Sequence, residues 1–191
     1  MKELKDFEEK TIEREEIFDG FVIKVARDTV ELPNNLGTAK RELVFHPGGV
    51  TVIPITPEGK IVLVKQFRKP LEKVILEIPA GKIEPDEYDD LENAAKRELE
   101  EETGYKANTF EKLTEVYLSV GFCDELLRFY VATDLEKVEN PRPKDEDEIL
   151  ELYELTYEEA KQAEREGLIC DSKTVMALMY WEIWRLQGKM S

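Results

Sequence analysis

The segment DDLENAAKRELEEETGY, residues 89 to 105, constrains this chain more than any other. Asp89 is the expected N-cap of a helix, with Glu92 three residues on as its capping-box partner. Gly104 is placed to end the helix in the left-handed conformation. At about 100° per residue the faces of this helix can be assigned. Leu91, Ala94 and Ala95 lie within about 60° of Glu98, and so do Glu101 and Glu102. Glu92, Asn93, Lys96 and Glu100 lie about 120° or more away, on the face expected to meet water. Three carboxylates therefore extend the stripe that the helix should bury. Like charges at these spacings destabilise a helix, more so when partly buried. Arg97, four residues before Glu101, can offset one of them. The residues alone leave two readings: a solvated acidic face, or oxygen donors gathered for a divalent cation.

Around the helix the chain reads mostly as strands. Residues 10 to 46 hold one strand near Val22 to Leu32 and another from Arg41 to Phe45, separated by a turn at Pro33-Asn34-Asn35 and Gly37. VTVIPIT and KIVLVKQF flank Pro57-Glu58-Gly59 and read as a hairpin. VILEIP is a short strand leading to Ala80-Gly81. Two more strands are expected at 112 to 119 and 126 to 132, and ILELYEL follows a charged loop at 134 to 148. Thr156 with Glu159 caps a helix near 157 to 166, and residues 172 to 187 form a last amphipathic helix. In that helix Trp181, Trp184, Met176 and Met179 read as core. The pattern is α+β or α/β/α.

Charge narrows the partners. The formal net charge is −16 over 191 residues, against a basic nucleic-acid face and against binding an anionic membrane. A phosphorylated ligand remains compatible if metal ions supply local positive charge. Hydrophobic residues make up 41% of the chain, enough for a real core. Cys123 and Cys170 form no metal-ligand spacing with the single histidine, His46. The opening MKELKDFEEK carries no apolar run of the signal-peptide kind, and no stretch approaches the ~20 apolar residues of a membrane span. The expectation is a cytoplasmic protein.

Arg97 to Tyr105 spells RELEEETGY, which matches REUxEExGU, where U is a bulky apolar residue, with Gly81 upstream. This resembles the Nudix hydrolase box. RELVFHPGGV, VKQFRKP, LEIPAGKIEP and YLSVGFCDE are similar to the ADP-ribose pyrophosphatase branch of that family, so the likeness covers nearly the whole chain. The spacing from Gly81 to Arg97 is two residues longer than the family pattern. The first box acid is therefore Glu87 counted forward or Asp89 counted back, and Asp89 is preferred because it keeps helix register. The Ser119-Val120-Gly121-Phe122 loop lacks the family's proline.

The resemblance implies an α+β fold: an α/β/α Nudix sandwich over residues 48–191, with an N-terminal antiparallel β-subdomain, residues 1–47, that builds a homodimer. It implies metal ligation by Glu98, Glu101, Glu102 and the carbonyl of Ala80, with Mg2+, Mn2+ or another divalent cation. Glu148, and after it Glu146, is the implied catalytic base. Arg41, Arg68, Gly121 and Glu125 match substrate-binding positions. Phe21 reads as a core residue before an adenine-stacking one. The implied reaction is Mg2+-dependent hydrolysis of ADP-ribose to AMP and ribose 5-phosphate. The rivals are another nucleoside diphosphate sugar such as GDP-mannose, and a Nudix module that senses ADP-ribose without cutting it. A sensing module would usually lack box glutamates that this chain retains.

Overall fold

The computed structural model describes residues 6–144 and 149–189. The chain divides into two compact units. One comprises residues up to Gly48 together with Val116–Leu126, and the other comprises Gly49–Glu115 with the chain from Leu127 onward.

The first unit is built on an antiparallel sheet in the order β1-β2-β3, with β1 Lys10–Asp19, β2 Lys24–Glu31 and β3 Thr38–Phe45. On β2, Ala26, Asp28 and Val30 are buried in strict alternation. Asp28 is a charge on that buried face, and it is matched there. Arg14 donates to both of its oxygens at 2.7 and 2.8 Å, and Thr11 donates at 2.9 Å. The β2–β3 turn uses Asn34 and Asn35 at φ 58°, which asparagine tolerates better than most residues. β1 is exposed along its whole length. The segment after Val116 docks on β3, where Val44 donates to the Phe122 carbonyl at 2.7 Å and Asp124 donates to the Val44 carbonyl at 3.2 Å.

The second unit carries two sheets. The first runs β7-β4-β9-β8, from β4 Gly49–Pro54, β7 Ala80–Lys82, β8 Tyr105–Tyr117 and β9 Leu126–Lys137. The second runs β10-β5-β6, from β5 Ile61–Arg68, β6 Lys73–Glu77 and β10 Glu151–Leu155. The expected hairpin of β4 and β5 is not a ladder. Its turn forms, with Gly59 donating to Thr56 at 2.9 Å, but only the bridge Ile55–Ile61 joins the strands before they part into separate sheets. The reason is burial. Every residue of β4 and the first four of β5 are buried, so both faces need cover, and each strand lies inside its own sheet. β8 begins seven residues earlier than expected, and β9 ends five residues later. Their added residues are largely polar and give little strand signal.

Three helices complete this unit: α1 Leu91–Thr103, α2 Tyr157–Arg165 and α3 Ser172–Leu186. Leu99, Ala94 and Ala95 of α1 share a core with Val50 and Val52 of β4, Val62 of β5, and Tyr130 and Ala132 of β9. α2 has the expected Thr156–Glu159 capping box. Trp181 of α3 is fully buried, whereas Met179 lies on the exposed face and is not core. Phe21 is wholly exposed, which rules out a core role. No helix among the described residues is long and apolar enough to cross a membrane.

Candidate active site

α1 is capped one residue later than expected. Asp90, not Asp89, accepts from the Asn93 amide at 3.2 Å, and the Asn93 side chain returns a bond to Asp90 at 2.5 Å. Glu92, freed from a capping role, pairs with Lys96 at 2.6 Å. Asp89 therefore does not cap the helix. Glu87, the candidate counted forward, accepts from Arg97 Nε at 2.6 Å and Nη2 at 2.8 Å. The forward count gives the residue that meets Arg97, and the two extra residues fall between Glu87 and the helix. Gly104 ends α1 at φ 72° and donates to the Glu100 carbonyl, as its position in the sequence requires.

The acidic face of α1 meets β7. Glu102 is buried and accepts from the Ala80 amide at 3.1 Å. Gly81, paired with Val50, approaches Glu98 so closely that a Cβ would overlap its carboxyl group. A glycine is needed here because the helix carboxylate occupies the side-chain space. Arg97 gathers the remaining charge: Nη1 lies 2.9 Å from Glu98 and 2.7 Å from Glu101. The hydrogen bonds from Arg97 hold the Glu87 carboxyl below the usual glutamate range, against an opposing effect of burial. The same contacts, Glu87 first, raise the Arg97 guanidinium further above its ordinary value.

Among the described residues, no three acidic side chains converge closely enough to ligate one ion. Glu98 and Glu101 close on Arg97 instead. The donor set still fits a hard divalent cation: three carboxylates on one helical face, and a backbone carbonyl at Ala80 on the strand that Gly81 lets come close to them.

Glu100 departs from expectation in another way. It lies on the far side of the helix but is only 6% exposed. It accepts from the Arg142 amide at 3.2 Å and pairs with Lys106 and Arg142 at 3.5 Å. The strand and loop that follow the helix cover it, which the helix phase alone could not reveal.

Arg68 ends β5. Its Nε and Nη2 donate to Glu77 at 2.5 and 2.9 Å. Burial alone would lower the Arg68 pKa; the Glu77 carboxylate outweighs it and the net shift is upward. Burial likewise pushes Glu77 up, but Arg68 and Lys173 together hold it below the usual range. Glu77, Lys173 and Asp171 were missed in the sequence. The available signal was Glu77 itself, a lone acid in the apolar strand VILEIP, which implies a buried cation.

Arg41, Gly121 and Glu125 belong to the first unit. Arg41 is held by Glu9 at 2.8 and 2.5 Å, and no atom lies near the space that a side chain on Gly121 would fill. The backbone carbonyl of Glu125 accepts from Leu118 at 3.1 Å. Glu146 and Glu148 lie outside the described residues.

Residues 45–175 match the model of the NUDIX domain. The chain belongs to the Nudix family. Within that family it is 55% identical over 177 residues to a protein of Bacillus methanolicus named methanol dehydrogenase activator, covering 93% of this chain and 94% of that one. It is 48% identical over 180 residues to an ADP-ribose pyrophosphatase of Bacillus subtilis (strain 168), covering 94% and 96%. A crystal structure described as an ADP compounds hydrolase superposes with a TM-score of 0.79 over 95% of this chain and 96% of the other. At 21% identity that likeness speaks for the Nudix fold alone.

Proposed function

We propose that this Nudix protein hydrolyses the pyrophosphate of ADP-ribose to AMP and ribose 5-phosphate with a divalent cation, Mg2+ first. The observation that carries this is the meeting of Glu98 and Glu102 with the Ala80–Gly81 strand, with Glu101 on the same helical face and tied to Glu98 through Arg97. Near-full-length identity of 48% to an ADP-ribose pyrophosphatase supports the choice of substrate.

Attack on a phosphorus ringed by negative oxygens needs neutralised charge and an oriented water. Glu98, Glu101, Glu102 and the Ala80 carbonyl would hold the cation, which neutralises diphosphate charge and acidifies a bound water. Arg68 offers its guanidinium to the diphosphate. Gly81 keeps β7 close to the helix. Arg41, Gly121 and Glu125 contribute to the substrate site, and Glu148, or Glu146 two residues earlier, serves as the base. The protein acts in the cytoplasm as a homodimer joined through residues 1–47. Support for the dimer is the exposed β1, which presents Ile12, Ile17 and Phe18.

A second reading rests on the relative at 55% identity: the chain raises the activity of an alcohol dehydrogenase. One panel tests both. ADP-ribose, GDP-mannose and NAD are incubated with and without Mg2+, and nucleotide release is followed. A methanol dehydrogenase is assayed with and without the chain. Preferential, metal-dependent AMP release from ADP-ribose supports the first reading; preference for GDP-mannose overturns its substrate. An unchanged dehydrogenase rate removes the second.

A further inference from the structure

Beneath Arg68 lies a buried chain of charges that the proposed chemistry does not use. Glu77 is the last residue of β6 and is only 2% exposed. One of its oxygens, Oε2, receives both Arg68 Nη2, at 2.9 Å, and the ammonium of Lys173. Lys173 is buried in the first turn of α3 and also donates to Asp171 at 2.9 Å. Asp171 is the N-cap of that helix and accepts from the Thr174 amide at 3.2 Å. Arg68 alone among the four reaches outward, its side chain 40% exposed.

A lone Glu77 would bind Arg68 as a closed pair. The carboxylate would fix the fork but also cancel the charge that a diphosphate must feel. A second cation on the same carboxylate changes this. Lys173 competes for Oε2, so Glu77 orients the guanidinium while its field is shared between two positive groups. Asp171 faces Lys173 from the other side, with part of its charge taken up by the α3 N-terminus.

We propose that Lys173 is a positioning residue for Arg68: by sharing Glu77 it keeps an oriented guanidinium electrostatically available to the substrate diphosphate. This deepens the reading of Arg68 as a phosphate ligand and rests on it. It depends only on the diphosphate, so a panel that selects GDP-mannose over ADP-ribose overturns the proposed substrate and leaves this inference testable on GDP-mannose.

The test measures kcat and KM for the substrate that the panel selects, on full-length variants shown to be folded by thermal melting. Lys173→Met should raise KM about tenfold and leave kcat within about threefold of wild type. Lys173→Gln, which keeps a donor to Glu77 without the charge, should do the same, and serves if the Met variant does not fold. The decisive variant is Glu77→Gln combined with Lys173→Met. It removes both buried charges, leaves Arg68 unneutralised, and should return KM to within about threefold of wild type. A purely structural lysine predicts no such return. An unchanged KM in the single variants, or a double variant as impaired as they are, overturns the proposal.

Discussion

The two glutamates at positions 100 and 102 differ in what holds them. Glu102 accepts from the Ala80 amide; Glu100 is tied to Lys106 and Arg142 on the other side of α1. Glu102→Gln should lower kcat by on the order of 10²-fold or more in steady-state assays with Mg2+. Glu100→Gln should leave kcat near wild type but lower stability by about 1–3 kcal/mol in urea titration, because its partners are left with a weaker acceptor. Equal loss of activity in both would sink the facial assignment. Glu87 adds a pH dependence. Its pKa is depressed in the folded state by Arg97, so its contribution is complete above the ordinary glutamate value of 4.5. That contribution fades as pH falls through the lower folded value. Glu87→Gln should therefore lower the melting temperature at pH 7, and the gap from wild type should shrink on acidification below about pH 4.5. A gap that stays constant down to pH 3 would contradict the Arg97 pairing.

At the scale of elements, the sequence was most legible where a local rule decides. Thr156–Glu159 caps α2, Gly104 ends α1, and the asparagines turn β2 into β3, each through contacts within a few residues. It was least legible where the partner is distant. VTVIPIT and KIVLVKQF are apolar on both faces, and no local signal says that such strands will part into two sheets. Glu100 looked wet because Arg142 lies forty-two residues away. The helix start sat between, since Asp89 and Asp90 are both good caps and only the closing contact with Asn93 chooses. Asp90→Ala should lower stability by about 1 kcal/mol in a denaturant titration, while Asp89→Ala should change it by less than about half that. The reverse order would restore Asp89 as the cap.

At the scale of the whole molecule the question is assembly. The proposed dimer suggests deleting residues 1–47, yet that deletion would strip the partner of the Val116–Leu126 segment. Val44 and His46 both bond to this segment, His46 donating its amide to Asp124 at 2.8 Å. Loss of activity after such a truncation would not separate a broken dimer from a damaged unit. β1 allows a cleaner experiment. It is an edge strand, exposed throughout, and its register slips twice, between Thr11 and Glu13 and between Glu16 and Phe18. The residues at those slips are Ile12 and Ile17, which point large apolar groups into solvent, as Phe18 does beside them. Edge strands are commonly guarded by charge, and these positions lack it. A second copy of the chain covering β1 would bury them. Replacing Ile12 and Ile17 together by lysine should yield a monomer by light scattering while the melting temperature of the resulting chain stays within about 10 °C of wild type. If the substrate site draws on both subunits, activity should fall with the dimer and recover as protein concentration is raised. A variant that remains dimeric would remove β1 from the interface, and a fully active monomer would show that one chain holds the complete site.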